Sequence, residues 1–297
     1  MNSFPLEIID HIIYFTVNKV SQLSLINKYF NYQVRRIRIT SNNKYPYISG
    51  GNLLSLPNLT KLKFSYKFDK IDRKLAKCSK LTYLDVFAND GITNEDISRL
   101  TSLISLRPND LITNISHLTN LTALNLDANC SITSISNLTA LRHLVLDNNR
   151  HIEGDQLTSL INLKTLMLNK CRAVTDGHIS DLTGLTHLDL SGNYRITNQG
   201  IFSLTNLVNL NVNSNISNVA SLPNLTKLIL LHNELLNDER ISTLTNLEHL
   251  LMNSWITING IKNLPQLKVI EFSNYHYHKF SDEDIRRLRR NIEIRRK

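Results

Sequence analysis

Eleven times along the chain one short frame returns, L-x-x-L-x-L-x-x-N, and this repetition restricts the possible folds more than any other feature. Its first leucines are Leu59, Leu81, Leu103, Leu121, Leu141, Leu163, Leu185, Leu207, Leu225, Leu247 and Leu267, at intervals of 22, 22, 18, 20, 22, 22, 22, 18, 22 and 20 residues. A segment this short cannot bury an apolar side by itself. Successive copies must stack and share one continuous core. In "LTHLDLSGN" (Leu185 to Asn193) the alternation around Leu188 and Leu190 predicts a short strand. The following "YRITNQGIFSLTN" spaces Ile196, Ile201 and Leu204 more widely, which predicts a turn and a helical or irregular return.

The ninth positions are Lys67, Asn89, Leu111, Asn129, Asn149, Cys171, Asn193, Asn215, Asn233, Trp255 and Tyr275, six of them asparagine. An inward-pointing amide can satisfy the backbone groups released where a strand turns. The pattern resembles the leucine-rich repeat family from Leu59 to Tyr275. The 22-residue copies with "GITNEDISRLTSL", "AVTDGHISDLTGL" and "RITNQGIFSLTNL" are most similar to the cysteine-containing type found in many F-box proteins. The resemblance implies an α/β solenoid with parallel strands on its concave side. Positions three, five and seven of each copy would face that side.

Ahead of the repeats, Pro5 opens "LEIIDHIIYF" with Glu7 near the start and Ile8, Ile9, Ile12 and Ile13 at helical spacing. "SQLSLINKYFN" puts Leu23, Ile26 and Phe30 on one helical face behind Ser21 as a cap. This segment resembles an F-box. Phe4, Pro5, Glu7, Ile8, Ile12 and Ile13 match its opening element, with Phe4 in place of the usual leucine. Leu23, Leu25, Ile26, Asn27, Lys28, Tyr29 and Phe30 match its second helix. The resemblance implies a substrate-recognition adaptor of a Skp/cullin-type ubiquitin ligase. Phe4, Pro5, Glu7, Ile8, Ile12, Ile13, Leu23, Leu25 and Phe30 would contact a Skp-family adaptor protein, and the repeats would hold a protein substrate. The alternative is a stand-alone leucine-rich repeat scaffold whose N-terminal helices only cap the array. The domains expected are a helical F-box-like unit over 1–40, a solenoid over 41–275 and a basic helical cap over 276–297. The cap is signalled by Ser281, acidic residues 282–284 and the arginines at 286, 287, 289 and 290, with Ile285, Leu288 and Ile292 on one side.

The net charge of +9 is uneven. Residues 1–58 carry +4, 59–80 carry +6, 81–275 carry −5 and 276–297 carry +4. No basic track runs the length of the chain, so nucleic acid is not the expected partner. No run of about eighteen apolar residues suggests a membrane span, and "MNSFPLEIIDHIIYF" does not read as a signal peptide. Three scattered cysteines, Cys78, Cys130 and Cys171, fit a reducing interior. These features together predict an intracellular protein, in cytoplasm or nucleus.

Asp127, Asp147 and Asp189 with His143 and His187 sit at repeat-equivalent positions on an open face, so no catalytic, metal or cofactor site is expected from them. The chain carries no phosphate loop, CxxC pair or nucleophile elbow, and an enzyme is not expected. The expected partner site is a stripe of Met167, His187, Asn211, Ile229, Leu231 and Leu251, which mixes apolar area with hydrogen-bonding groups. Lys61 and Lys63 stand apart from it and suit an acidic partner.

Overall fold

The computed structural model describes residues 14–15, 36–39, 59–64, 75–87, 89–231, 233–252, 256–272, 281, 283, 286, 288 and 292–296. They fall in two units, Met1–Leu141 and Arg142–Lys297. In the first, β1 (Tyr14–Phe15), β2 (Arg36–Ile39), β3 (Lys61–Phe64), β4 (Tyr83–Asp85), β5 (Ser105–Arg107) and β6 (Ala123–Asn125) pair in order, each parallel to the next. In the second, the same holds for β7 (His143–Val145), β8 (Thr165–Met167), β9 (His187–Asp189), β10 (Asn209–Asn211), β11 (Lys227–Ile229), β12 (His249–Met252), β13 (Val269–Phe272) and β14 (Glu293–Arg296).

Register aligns like position with like position. Leu62, Leu84, Leu106 and Leu124 face one another across β3 to β6, and Leu144, Leu166, Leu188, Leu210, Leu228, Leu250 and Ile270 do so across β7 to β13. Every one of these is at most 2% exposed. Each fully buried leucine contributes about 1.5–3 kcal/mol of transfer free energy, so the fourth position anchors the sheet. A slip of one residue would turn the whole row to solvent.

The seven buried asparagines Asn89, Asn109, Asn129, Asn149, Asn193, Asn213 and Asn233 hold the turn that follows each strand. Asn193 Oδ1 accepts from the backbone N–H of Arg195 (2.9 Å) and Ile196 (3.2 Å), and its Nδ2 donates to the carbonyl of Cys171 (2.6 Å). Asn233 Oδ1 likewise accepts from Leu235 and Leu236, and its Nδ2 donates to the carbonyls of Asn213 and Ile216. One amide thus closes its own turn and ties it to the previous copy. At Cys171 the thiol takes the backbone hydrogen bonds of Ala173 and Val174, the same two positions downstream, and burial pushes it above the usual thiol range.

Two members of this ladder differ from the sequence expectation. Leu111 and Asn215 are exposed, and Asn109 and Asn213 take the buried place two residues earlier. The reason is local. Ahead of Asn129, Asn149, Cys171 and Asn193 the preceding residue adopts a left-handed backbone, with φ of 54° at Ala128, 56° at Asn148, 57° at Lys170 and 65° at Gly192. In "LRPN" and "LNVN" the chain passes from Pro108 or Val212 directly to asparagine and omits that bulge. The return segments vary separately. Those after Asn89, Asn149, Asn193 and Asn233 contain a single helical turn (Asn94–Ile97, Gly154–Leu157, Asn198–Ile201 and Asp238–Ile241), whereas those after Asn109, Asn129 and Asn213 contain none and are two residues shorter. Both omissions coincide where the interval is 18 residues.

The helical turns are interlocked. Asp176 Oδ1 accepts from Thr197 N and its Oδ2 from Thr197 Oγ1, both at 2.7 Å, and Asp238 holds Thr257 through the same two atoms. Asn94 and Asn198 bind the backbone of Thr113 and Ser217 in the following copies. Asn120, Asn206 and Asn224 donate to carbonyls of the copies before them. Asparagine-rich composition therefore has a mechanical cause.

Strands are found within both segments expected to form helical units. Of residues 1–40 the described ones are β1 and β2, and Arg36–Ile39 pairs with Lys61–Phe64, so the parallel sheet begins ahead of the first leucine copy. Tyr14 and Phe15, assigned by periodicity to a helix, are extended; both are β-formers, and β2 offers them a strand to pair with. At the other end residues 283, 286 and 288 are helical, as "SDEDIRRL" predicts, and Leu288 is buried. Glu293–Arg296, however, forms β14 against β13. The alternation in "NIEIRR" is a strand signal that the arginine-rich helix pattern had obscured.

Candidate functional site

With the fourth position buried, the third and fifth positions of each strand stand on the opposite side of the sheet. In the second unit the position-three row reads His143, Thr165, His187, Asn209, Lys227, His249, Val269 and Glu293. The position-five row beside it reads Val145, Met167, Asp189, Asn211, Ile229, Leu251, Glu271 and Arg295.

Of the six residues expected to form a partner stripe, five reach the surface. Met167, Asn211 and Ile229 are half-buried, His187 is exposed, and Leu231 is 39% exposed two residues beyond Ile229. Leu251 is only 2% exposed and offers no surface. It stands between Ile229 and Glu271 in register. Phe4, Pro5, Glu7, Ile8, Ile12, Ile13, Leu23, Leu25 and Phe30 lie outside the described residues.

The carboxylates on this face are held by hydrogen bonds and ion pairs. Asp189 Oδ1 accepts from Ser191 N and Oγ, and its Oδ2 accepts from Asn211 Nδ2 at 3.0 Å. Asp147 Oδ1 accepts from Asn169 N. Glu271, only 6% exposed, lies 3.2 Å from His249 Nε2 and 3.6 Å from Arg295 Nη1. Arg295 also forks onto Glu293 with contacts of 2.8 and 3.0 Å, which raises the guanidinium and lowers the Glu293 carboxyl from their ordinary ranges. The Glu271 cluster was not legible beforehand, because its arginine comes from a strand that had been assigned to a helix.

All three histidines of the row are held below the ordinary imidazole range. Partial removal of the ring from water is the main cause for each, the exposed His187 included. The neighbouring positive charges of His187 and Arg142 add to it at His143, and Lys227 adds to it at His187 and His249; at His249 Glu271 opposes the shift without reversing it. His143 Nδ1 is 3.1 Å from Thr165 Oγ1.

In the first unit Lys63 and Arg107 are engaged. Lys63 Nζ binds Asp85 Oδ2 at 2.8 Å, and Arg107 lies 4.0 Å above the Phe87 ring and 3.8 Å from Asp127. Lys63 is thus not an open anion site. Among the described residues no three His, Cys, Asp or Glu side chains converge on a common point that could hold a metal ion, and no helix is long and apolar enough to cross a membrane. The arrangement offers contact surface and hydrogen-bonding groups.

Comparison with known proteins fixes the class of fold. No protein-family model and no curated protein sequence matches the chain. Among solved structures it is similar to an internalin (inlF) of Listeria monocytogenes, at 20% identity and a TM-score of 0.65, covering 93% of this chain and 86% of that one. It is similar to a chain of the Toll–Spatzle complex of Drosophila, at 21% identity and a TM-score of 0.58, covering 85% of this chain and 37% of that one. An internalin C2 (inlC2) of Listeria monocytogenes is 27% identical, with 67% and 83% covered and a TM-score of 0.46. The first two of these neighbours are leucine-rich repeat proteins, and the parallel sheets with few helices fit a leucine-rich repeat solenoid.

Proposed function

We propose that the chain is a protein-binding repeat scaffold. The observation that carries this reading is the paired row of half-exposed side chains on β8 to β11, drawn from four successive copies and mixing Met167, Ile229 and Leu231 with His187, Asn209 and Asn211. Such a surface has the apolar centre and polar surroundings of a protein interface. Its backbone is fixed by the asparagine ladder, so little ordering entropy opposes association. The Toll chain engages a protein in the structure cited above, which supports a partner of the same class here. Leu231→Asp and Asn211→Asp should each weaken capture of cellular partners without loss of fold, measured by proximity labelling and circular dichroism. Unchanged capture with both would remove the stripe from consideration.

A more specific role rests on the resemblance of residues 4–30 to an F-box: substrate recognition for a Skp/cullin-type ubiquitin ligase inside the cell. The favoured mode is a helix pair that presents Ile8, Ile12, Ile13, Leu23 and Leu25 to a groove. Purified Skp-family adaptor should co-purify with the full chain and fail to do so with the Ile12→Asp, Leu25→Asp double variant. If the intact chain does not retain the adaptor, the ligase role is refuted and the stand-alone scaffold remains.

A further inference from the structure

From β9 to β12 the position-three row is His187, Asn209, Lys227 and His249, four side chains able to donate hydrogen bonds. At strand spacing these four heads cover about 14 Å. Lys227 is half-buried, and among the described residues its ammonium has neither a hydrogen-bond nor an ion-pair partner. Other cations on the sheet differ: Lys63 is held by Asp85, Arg107 by Phe87 and Asp127, and Arg295 by Glu293 and Glu271. The carboxylates of the position-five row on either side of Lys227 are already occupied, Asp189 by Ser191 and Asn211, and Glu271 by His249 and Arg295, while Glu248 binds Lys268. Ile229 follows Lys227 on the same strand face at a step of about 7 Å, and the exposed Leu231 lies two residues past the end of the strand.

We infer that this face binds an extended acidic segment of a partner protein, with carboxylates along the His187–Lys227–His249 row and an apolar side chain against Ile229 and Leu231. The inference rests on the protein-binding reading above and specifies the partner's chemistry. Charge complementarity with an unpaired cation selects an acidic ligand. The adjacent row favours a peptide over nucleic acid: Asp189, whose partners are neutral, would repel a uniformly charged backbone, whereas a peptide can place its charges on one side only.

The histidines link this binding to pH. Lys227, His143 and Asp189 surround His187, and Lys227, Glu271, Glu293 and Arg295 surround His249. Burial and the Lys227 charge favour the neutral rings in the unbound chain. A docked carboxylate favours the protonated rings, so binding tightens as pH falls from about 7.5 to about 6, above the range where glutamates of the ligand titrate.

The test uses the full chain and fluorescent twelve-residue peptides of alternating glutamate and leucine, glutamine and leucine, or lysine and leucine, with single-stranded oligonucleotide as a fourth probe. Anisotropy should rank the glutamate peptide first by about tenfold, with tighter binding at low salt and at pH 6. Lys227→Glu and Lys227→Met should each weaken it by about tenfold or more, and Leu231→Asp should do the same. Lys262→Glu, the same charge change at an exposed return segment, should leave it within about twofold. Circular dichroism confirms that each variant is folded. If the glutamine peptide binds equally and still responds to Leu231→Asp, the face is a protein site without acid selectivity, and this inference alone falls. If the oligonucleotide binds best, or no peptide binds, the acidic-segment assignment is overturned.

Discussion

Asn193→Ala removes a fully buried side chain that makes hydrogen bonds to two copies at once. It leaves the amides of Arg195 and Ile196 without their acceptor and the carbonyl of Cys171 without its donor. An unsatisfied buried group costs about 1–3 kcal/mol, and Arg195 is at the surface, so two groups carry most of the loss. Water entering the vacated space recovers part of it. The expected destabilisation is about 3–5 kcal/mol. Asn193→Cys separates the two roles, because Cys171 shows that a thiol can accept from the same turn. That variant keeps the acceptor and loses the donor, and should cost about half as much. Urea unfolding followed by far-ultraviolet circular dichroism measures both. Repeat arrays can unfold in parts, so hydrogen exchange at the Ile196 amide provides a local reading. A loss for Asn193→Ala under about 0.5 kcal/mol, with Ile196 protection unchanged, would refute the ladder's energetic role.

Glycines in the return segments should divide by environment. A methyl at Gly200 would sit 2.5 Å from Asp176 Oδ1 and 3.0 Å from its Cα, so Gly200→Ala should disrupt the Asp176–Thr197 clasp at a cost of about 1–3 kcal/mol in chemical unfolding. Gly177 has nothing within 4 Å, and Gly177→Ala should stabilise the helical turn Asp176–Ile179 by about 0.5–1 kcal/mol in the same assay. Lys63→Ala leaves the Asp85 carboxylate, 4% exposed, with only the Phe87 amide beside it; unfolding should reveal a loss of about 1–2 kcal/mol, discounted because Lys63 itself reaches solvent. His143, His187 and His249 have folded-state pKa values below the unfolded one. The unfolded chain therefore binds protons first, and stability should fall as pH drops below about 6.5, a decline that the His143→Gln, His187→Gln double variant should reduce in urea titrations at successive pH values.

The stacked parallel strands could be read from the sequence because period-two alternation recurs at fixed spacing, and one-residue errors would invert every side chain. Register was legible at Leu188 or Leu228 for the same reason. The ladder at Asn109 and Asn213 was misassigned because a fixed nine-residue frame cannot detect a deleted bulge; the 18-residue intervals carried that information. Leu251 is placed by alternation on a side of the sheet, but alternation does not say how deeply a residue on that side is buried. The Glu271–His249–Arg295 cluster joins residues from three copies, and one of them lies in a tail whose charge pattern also fits a helix. Position-three residues were correctly placed on the open side, while the occupied carboxylates that leave Lys227 unpaired depend on side-chain contacts invisible to periodicity.

The most direct test of the central claim compares cellular partners of three forms of the full chain in quantitative proximity labelling. These are the unaltered protein, a face variant with Asn211→Asp and Leu231→Asp, and a return-side variant with Phe202→Asp, whose aromatic ring is 71% exposed after the helical turn Asn198–Ile201. The scaffold reading predicts that one set of proteins is lost with the face variant and retained with Phe202→Asp. Loss with Phe202→Asp and retention with the face variant would contradict it and move the binding surface to the return side.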